Sequence, residues 1–135
     1  MAIQLSVDVR NARLDAIESN IGTSPILRIR TGSVPANCAA ADSGTVLAEM
    51  TLPSDWMGAA AAGAKALAGS WNDPSANAAG TAAHFRIYDS GGSVCDIQGT
   101  VTATSGGGDL ELDNTSIAVG QSVTITGFTL TDGNA

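Results

Sequence analysis

At 135 residues the chain is one domain's worth, long enough to bury roughly two-thirds of its unfolded surface without a metal or disulfide staple. It is 44% hydrophobic but only 14% charged, with a formal net charge of -7, where an ordinary soluble domain carries about 25% charged residues. Alanine supplies much of the hydrophobic count, and Gly, Ser and Thr fill the gaps. Such a surface loses little on desolvation and suits packing against neighbouring subunits, whereas free monomers carry more charge for solubility.

The charge is unevenly spread. Residues 1–30 hold Arg10, Arg13, Arg28 and Arg30 against Asp8, Asp15 and Glu18, while the remainder holds only Lys65 and Arg86 against the other carboxylates. An acidic body argues against nucleic-acid binding, where affinity comes from Lys and Arg displacing counterions. The N-terminal arginines can instead make bidentate contacts with acidic patches on a protein partner, or simply be solvated. The start MAIQLSVDVRNAR lacks the basic and apolar regions of a signal peptide, and the Ala-rich run 58–68 is too short to span a bilayer. The expected place of synthesis is the cytoplasm, with no membrane partner.

The first element predicted is a helix. Ser6 caps it, Asp8 sits in its first turn and Gly22 ends it. Val7, Leu14, Ile17 and Ile21 recur at helical spacing, with Ala12 and Ala16 beside them. This stripe faces a core or docks on a partner.

From Pro25 onward the period is two. Leu27 and Ile29, then Val46, Ala48, Met50 and Leu52, mark two half-buried strands. Residues 64–71 add a weaker one. Phe85 and Ile87 alternate with His84, Arg86 and Tyr88; Cys95, Ile97, Gly99 and Val101 follow, then Leu110 and Leu112. In the last strand Val123 and Ile125 share one parity and Phe128 and Leu130 the other, so Gly127 marks a β-bulge. Residues 89–92 form a hairpin turn and 105–108 a looser one. One domain over residues 1–135 is expected: a helical segment at 1–22, then an antiparallel β-sandwich or jelly roll of about 6–8 strands at 25–135.

The residues offer little chemistry. His84 falls on the outward parity of its strand, as a solvated side chain with no nucleophile pattern nearby. Asp109, Glu111 and Asp113 alternate along one strand without the ligand loop of a calcium site, and Gly106, Gly107 and Gly108 open no helix to cradle a phosphate. Cys38 and Cys95 lack metal-ligand spacing. They are free thiols in a reducing compartment and a possible disulfide where the protein meets oxidant. The chain is therefore expected to be non-catalytic, with no cofactor or metal. Trp56 and Met57 follow Pro53 in a loop-like stretch, where two readings stand. Either they form an exposed apolar contact of the kind that dominates interfaces, or Trp56 closes one end of the sandwich.

Three stretches carry a resemblance: VRNARLDAIESNIG with ILRIRTG, the central AGTAAHFRIYDSGG, and the ending LELDNTSIAVGQSVTITGFTLTDGNA. Together they resemble a family of small bacteriophage virion proteins, specifically the capsid cement (decoration) proteins of short-tailed Bordetella-type phages. The likeness spans almost the whole chain, but its motifs mark a fold and no chemistry. It implies a jelly-roll protein on the outside of the capsid, self-associating and bound to the major capsid protein. The candidate contacts are Val7, Arg10, Arg13 and Leu14 on the helix, with Trp56 and Met57 in the loop. The same fold also suits a connector or host-binding module of a phage tail or fibre.

Overall fold

The computed structural model describes residues 3–135. Its first element is the helix α1 (Val7–Ile21). The Ser6 hydroxyl accepts from the Val9 amide at 3.3 Å, and Gly22, at φ 90°, returns its own N–H to the Glu18 carbonyl at 2.9 Å. Both ends therefore stop where the caps were predicted, because each cap satisfies backbone groups that the helix itself leaves open.

Ten strands follow: β1 (Ile26–Arg30), β2 (Val46–Thr51), β3 (Ala64–Ala66), β4 (Asn72–Asp73), β5 (Gly80–Thr81), β6 (His84–Tyr88), β7 (Cys95–Ala103), β8 (Leu110–Leu112), β9 (Ser116–Ile117) and β10 (Val123–Thr131). Eight of them form one hydrogen-bonded sheet in the order β2-β1-β6-β7-β8-β10-β3, with β4 also on β10, and β5 pairs with β9 separately. The chain is thus mostly β with one N-terminal helix, as expected.

The pairing departs from the all-antiparallel expectation at one place. β7 and β8 run parallel, with Val101, Thr102 and Ala103 opposite Leu110, Glu111 and Leu112. The glycines at 106–108, predicted as a hairpin turn, form a return loop that carries the chain back beside the strand it has just left. A Cβ on Gly106 or Gly108 would lie 2.7–2.8 Å from the Thr102 side chain, so only glycine lets the loop fold this closely over Thr102. Hydrogen bonds fasten it: Gly108 N–H to Thr102 Oγ1 at 3.0 Å, and Thr100 N–H to the Asp109 carboxylate at 2.9 Å.

The predicted bulge is present. β10 pairs Ile125 with Leu112 and Gly127 with Glu111, skipping Thr126. Val123, Ile125 and Phe128 are consequently all buried despite their change of parity. A second register shift, at Ile29/Arg30, lets Leu47 and Ala48 both turn inward, where strict alternation had placed Leu47 outside.

The sheet path bends back on itself. Residues 64–73 run along β10, and their far end reaches the open edge of β2: Asp73 Oδ2 accepts from Glu49 N–H at 3.0 Å, and the Leu47 carbonyl accepts from Asn77 N–H at 2.7 Å. These bonds occupy backbone groups that a free edge would expose. Inside lies a single core, with Leu27, Ile29, Leu47, Phe85, Ile87, Leu110 and Val123 all fully enclosed. Trp56, Trp71, Phe128 and Phe85 form an aromatic run through it, with ring centroids 6.0, 5.4 and 5.7 Å apart.

Candidate functional site

The six residues predicted to meet a partner divide into two groups. Trp56 and Met57 are 0% and 1% exposed, so of the two readings of this segment the exposed contact is overturned and burial stands. Trp56 stacks against Trp71 and donates its indole N–H to the Gly22 carbonyl at 3.0 Å. Leu14 and Arg10 are buried as well, at 2% and 8%. Arg10 Nη1 reaches the Asp132 carbonyl at 3.4 Å, and its guanidinium lies against Gly63, where a Cβ would sit 2.1 Å away. Val7, by contrast, is 45% exposed. Arg13 also faces outward while its Nε pairs with Asp132 at 3.1 Å.

The helix is held down by a polar seam that hydropathy does not reveal. Asn11, Asp15 and Glu18 recur at i, i+4 and i+7 and accept the backbone amides of Gly63, Ala60 and Met57 at 2.9, 3.1 and 3.4 Å. Lys65, 2% exposed on β3, puts its ammonium 2.7 Å from both Asp15 and Glu18 and 2.9 Å from the Gly58 carbonyl. Burial alone would lower the pKa of Lys65, but the bonds to Asp15 and Glu18 outweigh it and hold the group above its ordinary value. Asp15 is correspondingly held below its usual range, first by Lys65 and then by the Ala60 amide.

With that face occupied, the rest of the helix points away from the sheet. Ile3, ahead of the helix, and Val7 and Val9 in its first turn are 79%, 45% and 46% exposed. A groove of about 520 Å3 runs between the helix (Arg13, Leu14, Ile17) and the C-terminal segment (Asp132, Asn134). Val94 and Val119 are the other large apolar side chains exposed among the described residues.

A second polar cluster covers the outer face of β1, β6 and β7. The connection at 31–45 folds over this face, and Asp42 is its hub: Oδ1 accepts from Arg86 and from the Tyr88 hydroxyl at 2.6 Å each, and Oδ2 from Arg30 at 2.9 Å. Arg86 also reaches Gln98 and the Asn37 carbonyl. Desolvation would raise the Asp42 pKa, but the donors from Tyr88 and Arg86 prevail and hold it low.

His84 belongs to this covered face and is wholly buried, which corrects its prediction as a solvated side chain. Its Nδ1 lies 2.8 Å from the Gly32 carbonyl, so Nδ1 carries the proton, and the buried Nε2 has no hydrogen-bond partner among the described residues. Burial, reinforced by Arg30 and Arg86, lowers its pKa. Outward parity means solvent only when nothing lies on top of the strand. The clue in the sequence was the set of basic side chains Arg28, Arg30, His84 and Arg86 on one face of adjacent strands, which calls for an acidic cover.

Among the described residues no helix is long and apolar enough to cross a membrane, and no group of three or more His, Cys, Asp or Glu side chains gathers as a metal set. The fold and site together define a mostly-β protein whose N-terminal helix is fixed to the sheet and leaves Ile3, Val7 and Val9 exposed near the N-terminus. No family model matches the chain, and neither the curated proteins nor the solved structures provide a match.

Proposed function

We propose that this chain is a structural virion protein of the cement or decoration class, binding the outside of the major capsid lattice and stabilising the mature head. What supports the reading is the exposure of three large apolar side chains near the N-terminus, Ile3 ahead of the helix and Val7 and Val9 in its first turn, on a helix that Asn11, Asp15 and Glu18 fix to the sheet. Exposed apolar side chains carried on a rigidly held helix lose little entropy on docking. Repetition over a lattice multiplies a modest single-site affinity, and preference for the expanded head stabilises that form by linkage. The low charge of the whole surface favours the same use. The reading includes self-association on the lattice, a virion location, and no catalytic, cofactor, nucleic-acid or membrane role. A jelly-roll description also belongs to it; the bent sheet around one core fits that description, and the parallel β7/β8 step departs from it.

The test is co-sedimentation of the purified protein with expanded, undecorated heads. Ile3→Asp, Val7→Asp and Val9→Asp, singly and together, alter exposed side chains only. The triple variant is expected to lose binding at least tenfold while its Tm stays within about 2 °C of the parent. Undiminished binding by the triple variant would remove this face as the anchor. The alternative reading, a connector in a tail or fibre, is separated by copy number, since a capsid protein is present in hundreds of copies per particle and a tail part in a dozen or fewer.

A further inference from the structure

The cover over β1, β6 and β7 brings together two cysteines that lie far apart in the chain. Cys38 sits in the 31–45 connection and Cys95 opens β7, and both line one cleft of about 250 Å3 together with Asp42, Arg86, Tyr88 and Ser93. Both are free and half-buried, and the Cys95 thiol donates to the Ile97 carbonyl at 3.5 Å.

The polar bonds around them set this alignment. The Asn37 carbonyl, next to Cys38, accepts from Arg86 at 2.9 Å; Asp42 is held by Arg30, Arg86 and Tyr88; and the Pro35 carbonyl accepts from Gln98 at 2.7 Å. The loop is therefore fixed on both sides of Cys38 by residues of β1, β6 and β7, the last being the strand that carries Cys95. Two thiols lining one cleft, one of them on a loop fixed in this way, have a high effective concentration for each other.

We propose that Cys38 and Cys95 form a reversible dithiol/disulfide latch that, on meeting a small-molecule disulfide such as oxidised glutathione, ties the 31–45 cover covalently to β7. The exchange takes two steps. Cys38 attacks one sulfur of oxidised glutathione, forming a Cys38–glutathione mixed disulfide and releasing one reduced glutathione. Cys95 then attacks the Cys38 sulfur, forming the Cys38–Cys95 bond and releasing the second. The two protein thiols give up two electrons, the glutathione disulfide takes them, and the two protons leave on the two glutathione thiols.

Cys38 enters first because the Cys95 thiol is held in its protonated form. Burial, and then the bond to Cys38, push the Cys95 thiol up to about 12. The latch therefore stays open under reducing conditions and closes slowly at neutral pH, since exchange requires a thiolate. Once closed, it joins two distant chain segments and constrains the unfolded state.

The experiment incubates the folded full-length protein with oxidised glutathione at pH 8, then quenches it with iodoacetamide for intact mass and peptide mapping. The expected product is a monomer 2 Da lighter, with a Cys38–Cys95 cross-linked peptide and a Tm on the order of 10 °C above the reduced form. Reduction should reverse both changes, and Cys38→Ser and Cys95→Ala should each abolish them. Cys38→Ser alters only the half-exposed loop residue, so it remains informative if Cys95→Ala fails to fold. Stable glutathione adducts without a cross-link, disulfide-linked dimers, or an internal cross-link that leaves Tm unchanged or lower would each overturn the latch.

Discussion

Gly63 shows how one residue can set the position of another. Its φ of +76° lies in the left-handed region, and a side chain there would displace the Arg10 guanidinium. Gly63→Ala is expected to cost about 1–3 kcal/mol in urea unfolding. Combined with Arg10→Ala it should cost less than the sum of the two single changes, because both act on the same contact. His84 makes a second case, through its charge. Its folded pKa is depressed, so between that value and the unfolded value near 6.5 the unfolded chain binds a proton that the folded protein does not. Stability is therefore full above about pH 6.5 and falls as the pH drops through that window. A Tm series from pH 7.5 to 5 should show the decline, and His84→Gln, which cannot titrate, should flatten that part of it. A slope unchanged in His84→Gln would exclude His84 as its source; Asp42, whose pKa is depressed, contributes its own loss of stability only near and below pH 4.

Among the elements, α1 shows most clearly how far a sequence pattern reaches. Its caps and its length were legible because Ser6, Asp8 and Gly22 act on neighbouring backbone. The burying face was only half legible. Leu14 faces inward as the apolar stripe requires, but Val7 lies beyond the sheet's cover, and Arg10 takes an inward place that no hydropathy pattern would assign to it. Asn11, Asp15 and Glu18 complete that face by receiving three backbone amides of the segment that leads into β3. The helix is therefore a template for residues 57–63 as well as the carrier of the exposed Val7 and Val9. Removing residues 1–22 should cost roughly 5 kcal/mol, from about 1 kcal/mol per lost hydrogen bond plus the burial of Leu14, against a total of about 5–15 kcal/mol for a domain. Circular dichroism on the truncated chain should show a broadened, early transition. For that reason the exposed-face substitutions, and not the truncation, test docking.

For the molecule as a whole, the polar residues are distributed into two seams on the outside of one apolar core. One seam fastens the helix through Lys65, and the other fastens the 31–45 cover through Asp42. Both draw on a small stock of charges, which explains how a chain with 14% charged residues still places many of them in ion pairs. What remains outside is low in charge and rich in small residues, and the head-binding experiment examines whether that surface serves a lattice. If it does, decorated expanded heads should lose integrity on heating at a higher temperature than bare ones, and the triple Asp variant should give no such gain.

The sequence by itself determined the mostly-β class, the helix limits, the inward positions of Leu27, Ile29, Phe85, Ile87, Leu110 and Leu112, and the bulge at Gly127. These follow from local periodicity, capping and backbone freedom, which act over a few residues. Only the tertiary structure decided that β7 and β8 run parallel, that Trp56 and Met57 are interior, and that the face carrying His84, Arg86 and Tyr88 is covered. Each of those depends on which distant segment lies on top. Alternation separates the two sides of a strand, but the covering segment determines whether the outer side meets water. That is also why Arg10 and Leu14, over which the segment leading into β3 packs, turn inward, while Ile3, Val7 and Val9 stay exposed.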